Sequence, residues 1–150
     1  MKSPFRKFYE KFISLNGDPT RIALGMAVGV FVGSFPIIGT QTLILVTLAS
    51  AFSLHMAAGI LGTWMPSNPL TIVPVFGAEF YVGRLLLGYT DISWPEGPLS
   101  WGLFINLGGK FLGSLFLGFV VIGSLLAVLS FIVTRWFFTK MQTKEERPAS

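Results

Sequence analysis

Few residues in this chain have the chemistry to hold a ligand, and they are scattered through apolar sequence. Glu79 and Arg84 flank Tyr81 within one apolar run. Their spacing of five is not the three or four that sets two side chains together on a helix. They are expected to face different partners, and Arg84 has the further option of extending its apolar stem toward a polar boundary. Gln41 and Thr42 follow a segment in which Pro36 and Gly39 oppose continuous helix. Asn68 and Thr71 sit at a second break, residues 65–69, which contains Pro66 and Pro69. Breaks leave backbone N–H and C=O groups without helical partners, and open helix N-termini favour anions such as phosphate. Pro36, Gly39, Gln41, Thr42, Asn68, Thr71, Glu79 and Arg84 are therefore the candidate ligand-binding residues. Catalytic sets are harder to find. The chain has no Cys and a single His, His55, so thiol chemistry and a His pair for a metal are excluded. Ser34 and Ser67 have no base at a recognisable spacing, and no phosphate-loop signature is present. Neither an enzyme nor a resident cofactor or metal is expected.

The elements that must position these residues are apolar. Hydrophobic residues make up 52% of the chain and charged ones 12%, about half of what a water-facing surface carries. Residues 22–78 contain no Asp, Glu, Lys or Arg, a stretch nearly three times the roughly 20 residues that cross a bilayer. The expected fold is all-α: a polytopic integral membrane protein with broken or re-entrant helices. A cleaved secretory signal is disfavoured, since apolar sequence continues far beyond any cleavage point. The net charge of +4 does not point to nucleic acid, because the basic residues lie mostly at the two ends. Lys2, Arg6, Lys7, Lys11 and Arg21 precede the apolar block, and Arg135, Lys140, Lys144 and Arg147 follow the last one. The hydrophilic segment 89–101 carries Asp91 and Glu96 and no Lys or Arg. The positive-inside rule then places both termini in the cytoplasm and residues 89–101 outside. The basic ends also suit anionic headgroups.

Along the chain, residues 1–18 form an amphipathic cytoplasmic segment, with Phe5, Phe8, Phe12 and Leu15 at helical spacing. Residues 19–138 form the membrane domain, and 139–150 a cytoplasmic polar tail. Asp18 and Pro19 start a short helix over 20–33, and a second short helix follows over 40–54. The pair is expected to form a re-entrant hairpin; a kinked ordinary span is the other reading. Further helices are expected over 56–64, 70–88 and 103–138. Trp94, Trp101 and Trp136 suit the membrane interfaces. His55, at a helix junction, is expected at an interface. Gly25, Gly29 and Gly33 share one helix face and allow close backbone approach, and Gly109 and Gly113 repeat the spacing. Homo-oligomerisation through such glycine faces is expected.

Residues 18–25 (Asp18-Pro19-Thr20-Arg21-Ile22-Ala23-Leu24-Gly25), Gly29 to Gly33, the run Phe35-Pro36-Ile37-Ile38-Gly39-Thr40-Gln41-Thr42, and Asn68-Pro69-Leu70-Thr71 carry a resemblance. Together they resemble a family of small bacterial inner-membrane proteins catalogued as domain of unknown function 2062. The likeness covers residues 5–88, and the remainder matches by hydropathy. It implies an inner-membrane location and, since some relatives look fused to glycosyltransferase domains, work on the cell envelope. The run from Phe35 to Thr42, with residues 49–64 and Tyr81-Val82-Gly83-Arg84, also looks like the re-entrant segment of DedA-type proteins. That likeness implies flipping of polyprenyl-phosphate lipids, although Gln41 stands where that family usually has Arg. The expected function is a transporter or flippase-like protein for an anionic lipid. A non-catalytic scaffold for envelope glycosyltransferases is the alternative. The two breaks are expected to meet and form one site, with helix N-termini facing a common point.

Overall fold

The computed structural model describes residues 3–37, 39–97 and 100–145. Lys2, Ile38, Arg147 and the side chain of Trp101, which entered the sequence reading, lie outside the described residues. The chain is all-helical among the described residues: α1 (Pro4–Ile13), α2 (Pro19–Gly33), α3 (Gln41–Ala51), α4 (Met56–Ser67), α5 (Ile72–Leu87), α6 (Trp101–Asn106) and α7 (Gly108–Glu145).

Local chemistry sets these boundaries. Ser3 and Asp18 cap α1 and α2 by accepting from the amides of Arg6 and Arg21, and each is followed by a proline at the first helical position. Pro66 does not break α4 as expected; the helix carries it in its last turn. The break falls at Asn68, whose extended backbone (φ −76°, ψ 155°) is what the following Pro69 imposes on its predecessor. Gly88 ends α5 with φ +70°, a left-handed cap that glycine adopts without strain. The expected helix over 103–138 is divided: α6 stops at Asn106, and α7 begins after a turn at Leu107 with Gly108, at φ +75°. At its other end α7 runs on through Glu145, so the first part of the expected polar tail is helix.

Among the described residues one helix, α7, is long and apolar enough to cross a membrane alone. Helices α4 and α5 pass the same test together, bent by 75° at the Asn68 break, while α2 and α3 are shorter apolar helices. Helix α2 is central, packing against α4 on one side and α7 on another; α5 packs along α7, and α3 lies on α2 and α4. The partners of the glycines give the directions. Gly25, Gly29 and Gly33 oppose His55, Gly59 and Thr63 in step, so α2 and α4 run parallel. Gly83 opposes Ser114 and Gly118 opposes Glu79, so α5 and α7 run antiparallel.

Two clusters fill the interior. Ile22, Met26, Ala58, Leu61 and Phe138 form one, and Phe8, Phe12 and Leu15 of the N-terminal segment close over it. The amphipathic α1 is thus docked on α4 and on the C-terminal end of α7; Phe5, assigned to the same face, stays exposed. Phe76, Phe80, Phe111 and Leu115 form the other cluster, with Trp94 packed on it. Trp94 is therefore a packing residue between Phe80 and Phe111. Trp136 is exposed, with the Lys140 ammonium 4.3 Å from its ring centre.

Candidate functional site

The two breaks do meet, and a single carbonyl organises the meeting. Helix α2 ends at Gly33, whose carbonyl has no helical partner. The Gln41 carboxamide at the first position of α3 folds back and donates to it at 3.0 Å, and also to the Phe35 carbonyl at 2.9 Å. Ser67, at the end of α4, donates to the same Gly33 carbonyl at 2.9 Å, and its hydroxyl lies 3.1 Å from the Gln41 carboxamide oxygen. Pro36 is buried beside this knot. Apolar surroundings demand this arrangement, because an unpaired carbonyl there costs several kcal/mol.

The second break satisfies itself. The Asn68 carboxamide oxygen accepts from the amides of Leu70 and Thr71, at 2.9 and 3.3 Å, while its nitrogen donates to the Met65 carbonyl at 3.0 Å. Thr71 donates its hydroxyl to that same carbonyl. Pro74, inside the first turn of α5, has no N–H to offer. Both carboxamides thus serve backbone groups, Asn68 holding the Leu70 and Thr71 amides and Gln41 the end of α2. The N-caps of α3 and α5, Thr40 and Thr71, make no side-chain cap bond. Gly39, at φ +100°, and Thr42 lie on the exposed side of the first break, away from the knot.

Beyond the second break, Thr71, Val75, Glu79 and Gly83 recur every four residues and share one face of α5. Gly83 and Glu79 meet α7 where a Cβ on Gly83 would overlap the Ser114 carbonyl, and one on Gly118 would overlap the Glu79 carbonyl. The Glu79 side chain is fully buried, and neither carboxyl oxygen has a hydrogen-bond partner. Arg84 turns away from it, donating to the carbonyls of Tyr89 at 2.9 Å and Thr90 at 3.3 Å and so closing the end of α5. The two charges do not pair: Arg84 serves loop carbonyls and the Glu79 carboxyl has no partner.

Thr71 and Val75 open onto a groove of about 410 Å³. Its other walls are Met26 and Val30 of α2, Met65 and Pro66 of α4, Leu126, Leu129 and Val133 of α7, and Phe8 and Phe12 of α1. Apart from Thr71, Ser130 and Thr134 the lining is apolar. A cleft beside it shares Phe8 and is edged by Lys7 and Lys11. That cleft is also lined by Glu10, so side chains of both signs edge it.

Against known proteins, one family model matches residues 2–147, described as an uncharacterized protein conserved in bacteria, DUF2062. The chain belongs to that family. No curated protein and no solved structure matches it. The match takes in the whole of α7, well past the residues 5–88 on which the resemblance rests.

In this DUF2062 protein the sequence alone did not single out Ser67, Gly62, Gly83, Gly118 or the capping role of His55. A Cβ on Gly62 would overlap the Met26 carbonyl, so α4 contributes to the α2 contact as α2 does. Gly59 and Gly62 in one short helix were the available signal. The expected pair Gly109 and Gly113 is corrected: nothing lies within 4 Å of a Cβ at Gly109, and Gly113 would touch only Leu87, at 3.9 Å. Gly118 makes the contact instead. His55 accepts from the Ala58 amide through Nδ1 and lies 2.9 Å from the Asn16 carbonyl through Nε2, fixing the proton on Nε2.

Proposed function

We propose that this protein is a multi-pass carrier for an anionic lipid in the bacterial inner membrane, holding the lipid chain in the groove between α1, α2, the α4–α5 elbow and α7. In this reading α2 and α3 form a re-entrant hairpin, α4 and α5 make one bent crossing, and α7 returns. Both termini face the cytoplasm, where positive residues are retained. The meeting of the two ends supports it: Phe12 packs on Phe137 and Phe138, and Gln142 donates to the Gly17 carbonyl.

The groove is the observation that carries the proposal. Its volume lies in the range of small-molecule sites, about 300–1,000 Å³. Its lining offers an acyl or prenyl chain the dispersion contacts of an apolar wall, and the adjoining cleft offers a phosphate Lys7 and Lys11, its Glu10 being paired with Arg6. The role is carriage, with no chemistry performed on the lipid.

The test uses a phosphatidylglycerol analogue with a photoreactive group at the end of one acyl chain, incorporated into proteoliposomes. Labelling concentrated at Leu126, Leu129 and Val133 is expected, together with exchange of a fluorescent anionic lipid between leaflets. Leu129→Trp, at an exposed position, should fill the groove and abolish both while leaving the fold intact. Labelling spread evenly around α7 overturns the groove as a site, and the scaffold reading then stands. Orientation is read from single cysteines at Ser93 and Thr143 in this Cys-free chain. An impermeant thiol reagent is expected to reach position 93 in intact cells and position 143 only after permeabilisation.

A further inference from the structure

Glu79 is the one buried side chain among the described residues whose polar atoms have no partner. An ionised carboxylate cannot stay so enclosed without a compensating charge or donors, because the desolvation penalty is several kcal/mol even after relaxation. The elements packed against α5 offer no counter-charge. On α7, Lys110 is two turns from Gly118 and held by Asp91 at 2.6 Å, while Arg135, Lys140 and Lys144 lie at the far end. Helix α4 contains no charged residue, and His55 caps its distant start. On α5 itself, Arg84 is turned to the loop carbonyls and Tyr81 is exposed.

The place of the carboxyl gives it a role. Glu79 sits where α5 and α7 are pressed together through Gly118, one helical turn beyond Val75 and two beyond Thr71, both in the groove wall. We propose that Glu79 is a proton-binding site whose occupancy holds the α5–α7 crossing closed, and whose deprotonation makes the crossing part to admit water. Neutral, the carboxyl is tolerated between the helices. Once it gives its proton to solvent, the carboxylate needs hydration, and the least costly route to water is separation of α5 from α7. Separation widens the groove on the same α5 face. The proton site stands on the buried carboxyl alone; only its effect on a lipid rests on the carrier reading.

Infrared difference spectra of the full chain in proteoliposomes, recorded between neutral and alkaline pH, should show loss of the carbonyl stretch of a protonated carboxylic acid. That band should be missing in Glu79→Gln. Spin labels on cysteines placed at Val73 and Val128, both exposed, should report a groove that widens as the band disappears. The distance in Glu79→Gln, a permanent mimic of the protonated side chain, should stay short at every pH. The wild-type spectrum decides the matter even if the variant does not fold: no protonated-acid band at neutral pH overturns the proposal. So does a label distance that follows pH equally in Glu79→Gln, or one that follows sodium concentration at fixed pH, which would make the site one for a metal cation. None of these measurements involves lipid exchange, so their failure and the failure of the carrier reading are told apart.

Discussion

The α2–α4 and α5–α7 crossings use the same device and enclose different things. In both, glycines on one helix let it settle against carbonyls of the other, the close approach that apolar surroundings reward through dispersion contacts. In the parallel α2–α4 pair five glycines take part, and the polar groups at its end are tied by Gln41 and Ser67. In the antiparallel α5–α7 pair the contact rests on Gly83 and Gly118, and the residue facing Gly118 is an unpartnered glutamate. Among the described residues the first crossing has no buried side-chain polar atom without a partner, and it is built as a frame. The other keeps one unsatisfied group at its closest point. The Gly25–Gly29–Gly33 face is occupied within the chain, whereas Gly109 has nothing within 4 Å of a Cβ.

The harshest way to break this comparison is Gly29→Leu. A Cβ there overlaps the Gly59 backbone, and no side-chain motion can relieve it. The expected cost exceeds about 3 kcal/mol, above the usual overpacking range because backbone must move. Loss of the folded fraction in detergent size-exclusion chromatography is the measurement, with Leu43→Ala, at a position 72% exposed, as a control expected to behave as the parent. Gly118→Ala tests the other crossing. Its Cβ also overlaps backbone, the Glu79 carbonyl, so even this small side chain should cost about 3 kcal/mol and loosen α5 from α7 while the α2–α4 frame survives. Hydrogen exchange should rise in α5 and the facing part of α7 only; a rise spread over all helices would mean that the two crossings are one cooperative unit.

Gln41→Ala sharpens the comparison from the side of the knot. It leaves the Phe35 carbonyl without its carboxamide donor and the Gly33 carbonyl with Ser67 alone, at about 1–3 kcal/mol. Thermal stability in detergent should fall, whereas Thr42→Ala, on the exposed side, should change nothing measurable. Asp91→Asn carries the smallest effect. The Lys110 ammonium bonded to Asp91 holds its carboxyl below the usual carboxylate range. A carboxylate depressed by folding stabilises the fold above its unfolded pKa, and the contribution is lost as pH falls through the folded value. The variant should therefore melt slightly below the parent at neutral pH and together with it in acid, with the difference reduced by salt, as befits an exposed pair.

Much of the frame was legible because glycine and proline leave marks that tertiary context rarely overrides. Asp18-Pro19 announced the start of α2, and the four-residue repeat of Gly25, Gly29 and Gly33 announced its packing face. The meeting of the two breaks followed from the need to satisfy their carbonyls. What the sequence hid was which partner does the satisfying. Gln41 and Asn68 looked like ligand donors because a carboxamide beside a break serves a ligand and a backbone group equally well. Only the 3.0 Å from Gln41 to the Gly33 carbonyl decides between them. Pro66 misled for a related reason: it lacks an N–H, yet the last turn of a helix accommodates it when Pro69 is what redirects the chain. The groove was invisible, since its walls come from five helices and no local pattern marks a space between elements.

The turn at Asn16 and Gly17 has a consequence for the order in which the chain is made. His55 lies 2.9 Å from the Asn16 carbonyl, and Gln142 donates to the neighbouring Gly17 carbonyl at 2.8 Å. Two adjacent carbonyls near the start are thus secured by residues that leave the ribosome at very different times. At about 5–20 residues per second, the interval between them is on the order of ten seconds. For that period the early helices can assemble on the His55 contact alone, with Gly17 still unclaimed. The turn between α1 and α2 is therefore fixed in two stages, the second only when the last turns of α7 pack against it.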